Sequence, residues 1–274
     1  MASCDNIERQ ILAEDTDSTD DTDLNSIAFF WIGQDLAIPT LLVRSIRRAF
    51  GADFKVHQLS DRDTPRVEGV SIHKPIKLSP HIMVARLEAY AASSIKEPTL
   101  FVDADMLVTR RFDLPPLADN EVGVTIRGER DTIRFVEREW AEFPEFTHKD
   151  SAQMMPYIFS FVYVSSPVLF LRQLNALKKM PKRFHRWYGD QMTLKSELDA
   201  QLDAQLDAQL DAPKRFAVKP FDVERYNRTV RSRWEFAEVI SSPAPACLVH
   251  FKGPESKVAM AESLAMLEAA AVAT

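Results

Sequence analysis

Pro98-Thr99-Leu100-Phe101-Val102-Asp103-Ala104-Asp105-Met106-Leu107-Val108 is the stretch on which the reading of the fold turns. An apolar run rich in β-formers leads into two aspartates one residue apart, and a second apolar run follows. A short continuous run of this kind marks a strand buried on both faces of an α/β sheet. Asp103 and Asp105 then fall at its carboxyl end, where open α/β sheets place their ligands. On an extended segment, side chains at i and i+2 share a face, so both carboxylates are expected to converge on one cation. Without that context the tripeptide means little. Asp15-Thr16-Asp17 and Asp21-Thr22-Asp23 repeat it in a polar tail, and Asp61-Arg62-Asp63 follows no comparable buried run. A turn or a solvated charge accounts for each of those.

The 274 residues fit one large domain with a substantial core. Apolar and charged fractions of 46% and 27% are those of an ordinary globular protein. A net charge of -6 argues against a general nucleic-acid binder. The two cysteines, Cys4 and Cys247, cannot staple a fold of this size, so a reducing, cytoplasmic setting is expected. The first residues lack the basic and apolar regions of a signal peptide, and no run of about 18 apolar residues marks a membrane span. Gly-x-Gly-x-x-Gly and Walker-type loops are absent, which disfavours Rossmann dinucleotide and P-loop chemistry.

Residues 1–25 are Asp/Thr/Ser-rich and expected to be disordered, leaving 26–274 as the folded domain. Strands are expected at Ser26 to Gly33, Phe54 to Leu59, Val67 to His73, Glu121 to Ile126, Tyr157 to Val164, Phe216 to Val223 and Ala246 to Phe251. Helices are expected at Pro39 to Phe50, from Ser79-Pro80 through Tyr90, at Ile133 to Phe143, at Pro167 to Met180, from Asp190 and from Glu255. Alternating strands and helices predict an α/β architecture with a mainly parallel, Rossmann-like central sheet flanked by helices. The helix from Asp190 runs into Glu197-Leu198-Asp199-Ala200 and three copies of Gln-Leu-Asp-Ala ending at Ala212. The 197–212 repeat reads as a helical insertion arising by duplication.

Three further clusters carry chemistry. His250, at the end of a strand, offers an imidazole to an Asp/Asp site, and mixed carboxylate and imidazole ligands suit Mn²⁺ better than Mg²⁺. Gly253 lets the backbone pass close to a phosphate that Lys257 or Lys252 would neutralise. Gly189-Asp190-Gln191 places a carboxylate and an amide at a helix start, and Arg86 lies at the edge of its helix's apolar stripe. Two basic-aromatic clusters, Lys178 to Trp187 and Arg225 to Trp234, flank these residues and read as solvated faces or as contacts for an anionic acceptor or a lipid surface.

Ala85-Arg86-Leu87, Leu100 to Val108, Gly189-Asp190-Gln191 and His250-Phe251-Lys252-Gly253 occur in an order that resembles the GT-A-fold glycosyltransferases. The resemblance is to the retaining family that includes glycogenin and the bacterial lipopolysaccharide galactosyltransferases, known as glycosyltransferase family 8, and it covers Ile27 to about Lys257. It implies Asp103, Asp105 and His250 as ligands of Mn²⁺ or Mg²⁺, and a nucleotide-diphosphate sugar, most simply a UDP-sugar, as donor. It further implies donor contacts from Arg86, Asp103, Gly253 and Lys257, a sugar-hydroxyl contact from Asp190, and Gln191 beneath the anomeric carbon. An amide cannot act as a base, so retention is expected, with a glycan or glycolipid as acceptor. The chain departs from the family at Phe159-Ser160-Phe161, where Asn-Ala-Gly is usual. It departs again at Lys257, one residue late and without the Pro-Trp that follows in the family.

Two rival readings remain. A catalytically silent nucleotide-binding module of the same fold is favoured by the altered Phe159 to Phe161 stretch. A haloacid-dehalogenase-like phosphatase is disfavoured, because it needs a threonine where Leu107 stands and a final aspartate where Leu194 stands.

Overall fold

The computed structural model describes residues 24–135, 141–199 and 216–272. The tail to residue 23 and the Gln-Leu-Asp-Ala copies at 201–212 lie outside the described residues. The first sheet has seven strands in the order β3-β2-β1-β4-β7-β6-β8. These are β1 (Ser26–Phe30), β2 (Lys55–Asp61), β3 (Ile72–Ile76), β4 (Thr99–Val102), β6 (Glu121–Ile126), β7 (Tyr157–Val164) and β8 (Ala217–Phe221). Only β7 runs against the others, pairing antiparallel with both β4 and β6. The fold is thus α/β, with a mostly parallel central sheet.

Helix α1 (Ala37–Phe50) covers one face and α2 (Ile82–Ala91) the other. Because β4 is central, both of its faces need an apolar partner, and all four of its residues are buried. Leu100 and Val102 join Ile27 and Phe29 against Leu42, Val43 and Ile46 of α1. Phe101 points the other way, its ring centroid 4.7 Å from that of Tyr90 in α2 and 4.6 Å from that of Phe170 in α4 (Val168–Lys179). Burying a ring of this size stabilises the sheet by about 2–3 kcal/mol.

After Val102 the chain leaves this sheet. Asp103 to Asp105 form a turn, and β5 (Met106–Val108) enters a second, three-stranded sheet with β10 (Leu248–His250) and β9 (Arg228–Thr229). The stretch from Pro98 is therefore two strands in two sheets, and Asp103 and Asp105 converge through a turn rather than by sharing a strand face. The second sheet is fastened to α1 by a buried hydrogen bond, Val108 N–H donating to Ser45 Oγ at 3.0 Å. Past the strand ends, Phe251 N–H donates to the Asp105 carbonyl at 2.9 Å and continues the β5–β10 pairing.

Two sequence expectations fail. The third strand forms at Ile72–Ile76 rather than Val67 to His73. Val67 and Val70 are buried in a turn instead, with Gln58 Oε1 accepting the Val67 N–H at 2.7 Å. The expected helix at Ile133 to Phe143 is not helical at its described ends, and residues 136–140 lie outside the described residues. Arg134 forms an antiparallel bridge with Asp150, and the Phe135 N–H bonds the Lys149 carbonyl, so extended pairing takes the backbone groups a helix would have used.

Helices α5 (Lys182–Arg186) and α6 (Gly189–Asp199) follow α4, and α6 takes in the first residues of the tetrapeptide repeat. Short helices α3 (Ser151–Met154) and α7 (Val223–Tyr226) precede β7 and β9. Helix α8 (Arg233–Ser241) and the long α9 (Pro254–Val272) complete the described chain. No helix among the described residues is long and apolar enough to cross a membrane.

Candidate active site

A cavity of about 660 Å³ opens at the carboxyl ends of β4 and β6, between the two sheets and the start of α6. Asp103, Asp105 and His250 line it, and one ligand atom from each lies within 4.8 Å of the others. His250 arrives through strand register. In the antiparallel β5–β10 pair it stands opposite Met106, the residue after Asp105. A slip of one residue would turn its side chain to the other face of the sheet. Its Nε2 lies 3.1 Å from Asp105 Oδ1 and 3.9 Å from Asp103 Oδ2. Burial pushes the Asp105 carboxyl up, but the attraction of His250, the hydrogen bond to it and the Lys257 ammonium at 3.6 Å hold it below the usual carboxylate range. Two carboxylates and an imidazole facing one point form a donor set suited to Mn²⁺, and Nε2 is the nitrogen directed there. The residues fit such an ion.

Arg86 closes the cavity on the α2 side. Its guanidinium donates to Asp103 Oδ1 at 2.8 Å and pairs with Asp190, and it lies 4.7 Å over the Phe159 ring. Asp190 is 0% exposed, and its second oxygen accepts the Gln191 N–H at 2.8 Å. The loop before it is tightly built. Tyr188 has φ +64, a conformation that non-glycine residues adopt at some cost in strain. A Cβ at Gly189 would sit 2.2 Å from the Phe184 carbonyl oxygen, so only glycine fits. Together these two residues turn the start of α6, and with it Asp190 and Gln191, toward the cavity. Gly253 lines the cavity at φ +86, whereas Lys257 lies beside Asp105 outside the lining.

Arg127 and Asp131 were not singled out from sequence, although Lys252, which joins them, was. Arg127, just past β6, donates to Gln191 Oε1 at 2.8 Å and to the Asp131 carbonyl at 3.1 Å. Asp131 Oδ1 accepts from Lys252 Nζ at 2.8 Å and from Thr229 Oγ1 at 2.7 Å. Burial raises the Asp131 carboxyl, but Lys252 and Thr229 more than offset this and hold it low. Burial likewise draws the Lys252 ammonium below its ordinary value despite Asp131. Their position was the available signal, since Arg127 and Asp131 follow a parallel strand at the edge that carries Asp103.

At the cavity mouth, Trp187 is 60% exposed, and the exposed Arg231 stands among the lining residues. These two belong to the two basic-aromatic clusters read from sequence. Asp61, the Asp-x-Asp match at the end of β2, spends its carboxylate on the Thr64 N–H and hydroxyl of a turn.

No protein-family model matches the chain, and no curated protein sequence does. Solved structures match over most of it. The glycosyltransferase GlyE of Streptococcus pneumoniae TIGR4 aligns with a TM-score of 0.53 at 12% identity, covering 90% of this chain and 63% of that one. The apo structure of the bifunctional glycosyltransferase WbbM aligns with a TM-score of 0.52 at 12% identity, covering 91% of this chain and 51% of that one. This chain therefore spans between half and two thirds of their length. At such identity the likeness is one of fold, and that fold is GT-A.

Proposed function

We propose that this chain is a metal-dependent glycosyltransferase that moves a sugar from a nucleotide-diphosphate donor, a UDP-sugar in the simplest case, to a glycan or glycolipid acceptor with retention. The observation that carries this reading is the convergence of Asp103, Asp105 and His250 at the carboxyl edge of a GT-A sheet. These three residues would hold Mn²⁺ or, less suitably, Mg²⁺. When bound, the ion supplies positive charge that stabilises the leaving diphosphate. Gly253 presents backbone without a Cβ beside that site, and Lys257 and Lys252 bring cationic charge to the same edge. Arg86 binds the donor side and fixes Asp190.

The pairing of the cavity's carboxylates supports the retaining reading. An inverting enzyme needs a free carboxylate as base opposite the leaving group. Asp103 is paired with Arg86, Asp105 with His250, Asp131 with Lys252 and Asp190 with Arg86. Gln191, held by Arg127, lines the cavity as an amide. Its oxygen can stabilise positive charge at the anomeric carbon but cannot take the acceptor's proton, which then passes to a departing phosphate oxygen. Trp187 and Arg231 flank the mouth as a surface for an acceptor with an anionic group, or for a lipid headgroup layer at which a peripheral protein works. A reducing, cytoplasmic setting fits the buried free thiol of Cys247.

Incubation with a panel of nucleotide sugars and Mn²⁺, followed by proton NMR of the fresh product, tests this reading. A retained anomeric linkage is expected; an inverted one would overturn the role of Gln191. The buried Phe159 ring under Arg86 favours a second reading, a nucleotide-binding module without turnover. Nucleotide binding with no donor hydrolysis would establish that alternative.

A further inference from the structure

Resting on the metal reading above, we infer that Asn227 and Ser160 are positioning residues that hold the His250 ring through Nδ1 and so aim Nε2 at the cation. The two edges of the His250 ring face different surroundings. Nε2 faces the two aspartates. Nδ1 lies 3.1 Å from Ser160 Oγ and 3.3 Å from Asn227 Oδ1. A carboxamide oxygen has no proton to give, so Nδ1 is the edge that would carry the ring's proton once Nε2 gives its lone pair to a cation.

The amide is oriented from its far side. Asn227 Nδ2 donates to Thr125 Oγ1 at 2.9 Å and to Ser160 Oγ at 2.9 Å, while the Ser160 hydroxyl donates to Asn227 Oδ1 at 3.1 Å. Thr125, Asn227, Ser160 and His250 are all buried, so no solvent competes for these bonds. Local backbone irregularity brings Ser160 to this place. Between Val124 and Thr125 of β6 the partner on β7 jumps from Val162 to Ile158, which leaves Phe159, Ser160 and Phe161 without partners on β6. Asn227 immediately precedes β9, which pairs parallel with β10 and delivers His250 alongside it. The departure at Phe159-Ser160-Phe161 therefore places a hydroxyl behind the imidazole.

Mn²⁺ alone, titrated by electron paramagnetic resonance, reads affinity without any catalytic assay. Asn227→Leu, confirmed folded by circular dichroism, should weaken Mn²⁺ by up to about tenfold, no more than removal of the His250 ring itself. Ser160→Ala should act in the same direction and less strongly. Asn227→Asp, which keeps an acceptor oxygen at Nδ1, should retain most of the affinity. Unchanged Mn²⁺ affinity in folded Asn227→Leu would overturn the role of Asn227 while leaving the metal reading in place. Failure of wild type to bind Mn²⁺ would overturn both.

Discussion

Only Asp103, Ala104 and Asp105 separate β4 from β5, yet the two strands live in different company. β4 pairs with β1 and β7 inside the seven-stranded sheet, under α1 on one face and α2 on the other. β5 pairs with β10, and β10 with β9, so its sheet is completed by segments from the far end of the chain. One side of the cavity is therefore a framework made by successive strand-helix units. The other side, which carries His250 and Thr229, exists only once residues 228–250 have returned to residues 106–108. The three candidate metal ligands straddle this seam, so the site reports whether both halves are assembled.

The largest expected effect lies in the framework. Phe101→Ala removes a ring held between Tyr90 and Phe170 and should cost about 3–5 kcal/mol in urea denaturation. A loss below about 1 kcal/mol would mean that β4 is not the keystone described.

Asp131→Asn tests the seam, because Asp131 joins the strand edge after β6 to Thr229 and Lys252. Its folded carboxyl titrates below its ordinary value. The stability it contributes is thus present above the unfolded value of about 3.9 and is lost as pH falls through the lower native value. The variant should be about 1–3 kcal/mol less stable near neutrality, with the gap closing in acid. A gap constant with pH would contradict the ion pair.

His250→Ala should have the smallest energetic effect. The far sheet would lose one candidate ligand while Asp103 and Asp105 remain, and Mn²⁺ affinity should fall about tenfold with the fold intact. Equal losses of affinity and stability would make His250 a core residue of the second sheet rather than a ligand.

The framework was legible because its signals are local. Ile27 to Phe30 and Leu100 to Val102 are continuous apolar runs, and the helices between them carry apolar stripes; Pro39 lies in the first turn of α1, whereas Pro80 lies outside α2, which starts at Ile82 behind His81. Asp103, Asp105 and His250 could be picked out as strand-end residues, but their convergence through a turn and a strand register could not. Nothing near Asn227 or Asp131 in sequence announces a partner, because those partners lie on other strands. The non-helical described ends of the helix expected at Ile133 to Phe143 have the same cause: the strand-like bridge of Arg134 to Asp150 outweighs a weak helical period.

Calorimetric titration of UDP into the wild-type chain, with Mn²⁺ and then with chelator, tests the central claim most directly. Binding should be measurable with Mn²⁺, lost in chelator, and lost in Asp103→Asn even with Mn²⁺ present. UDP affinity that is the same in chelator, or unchanged in Asp103→Asn, would contradict a cation at the junction of the two sheets.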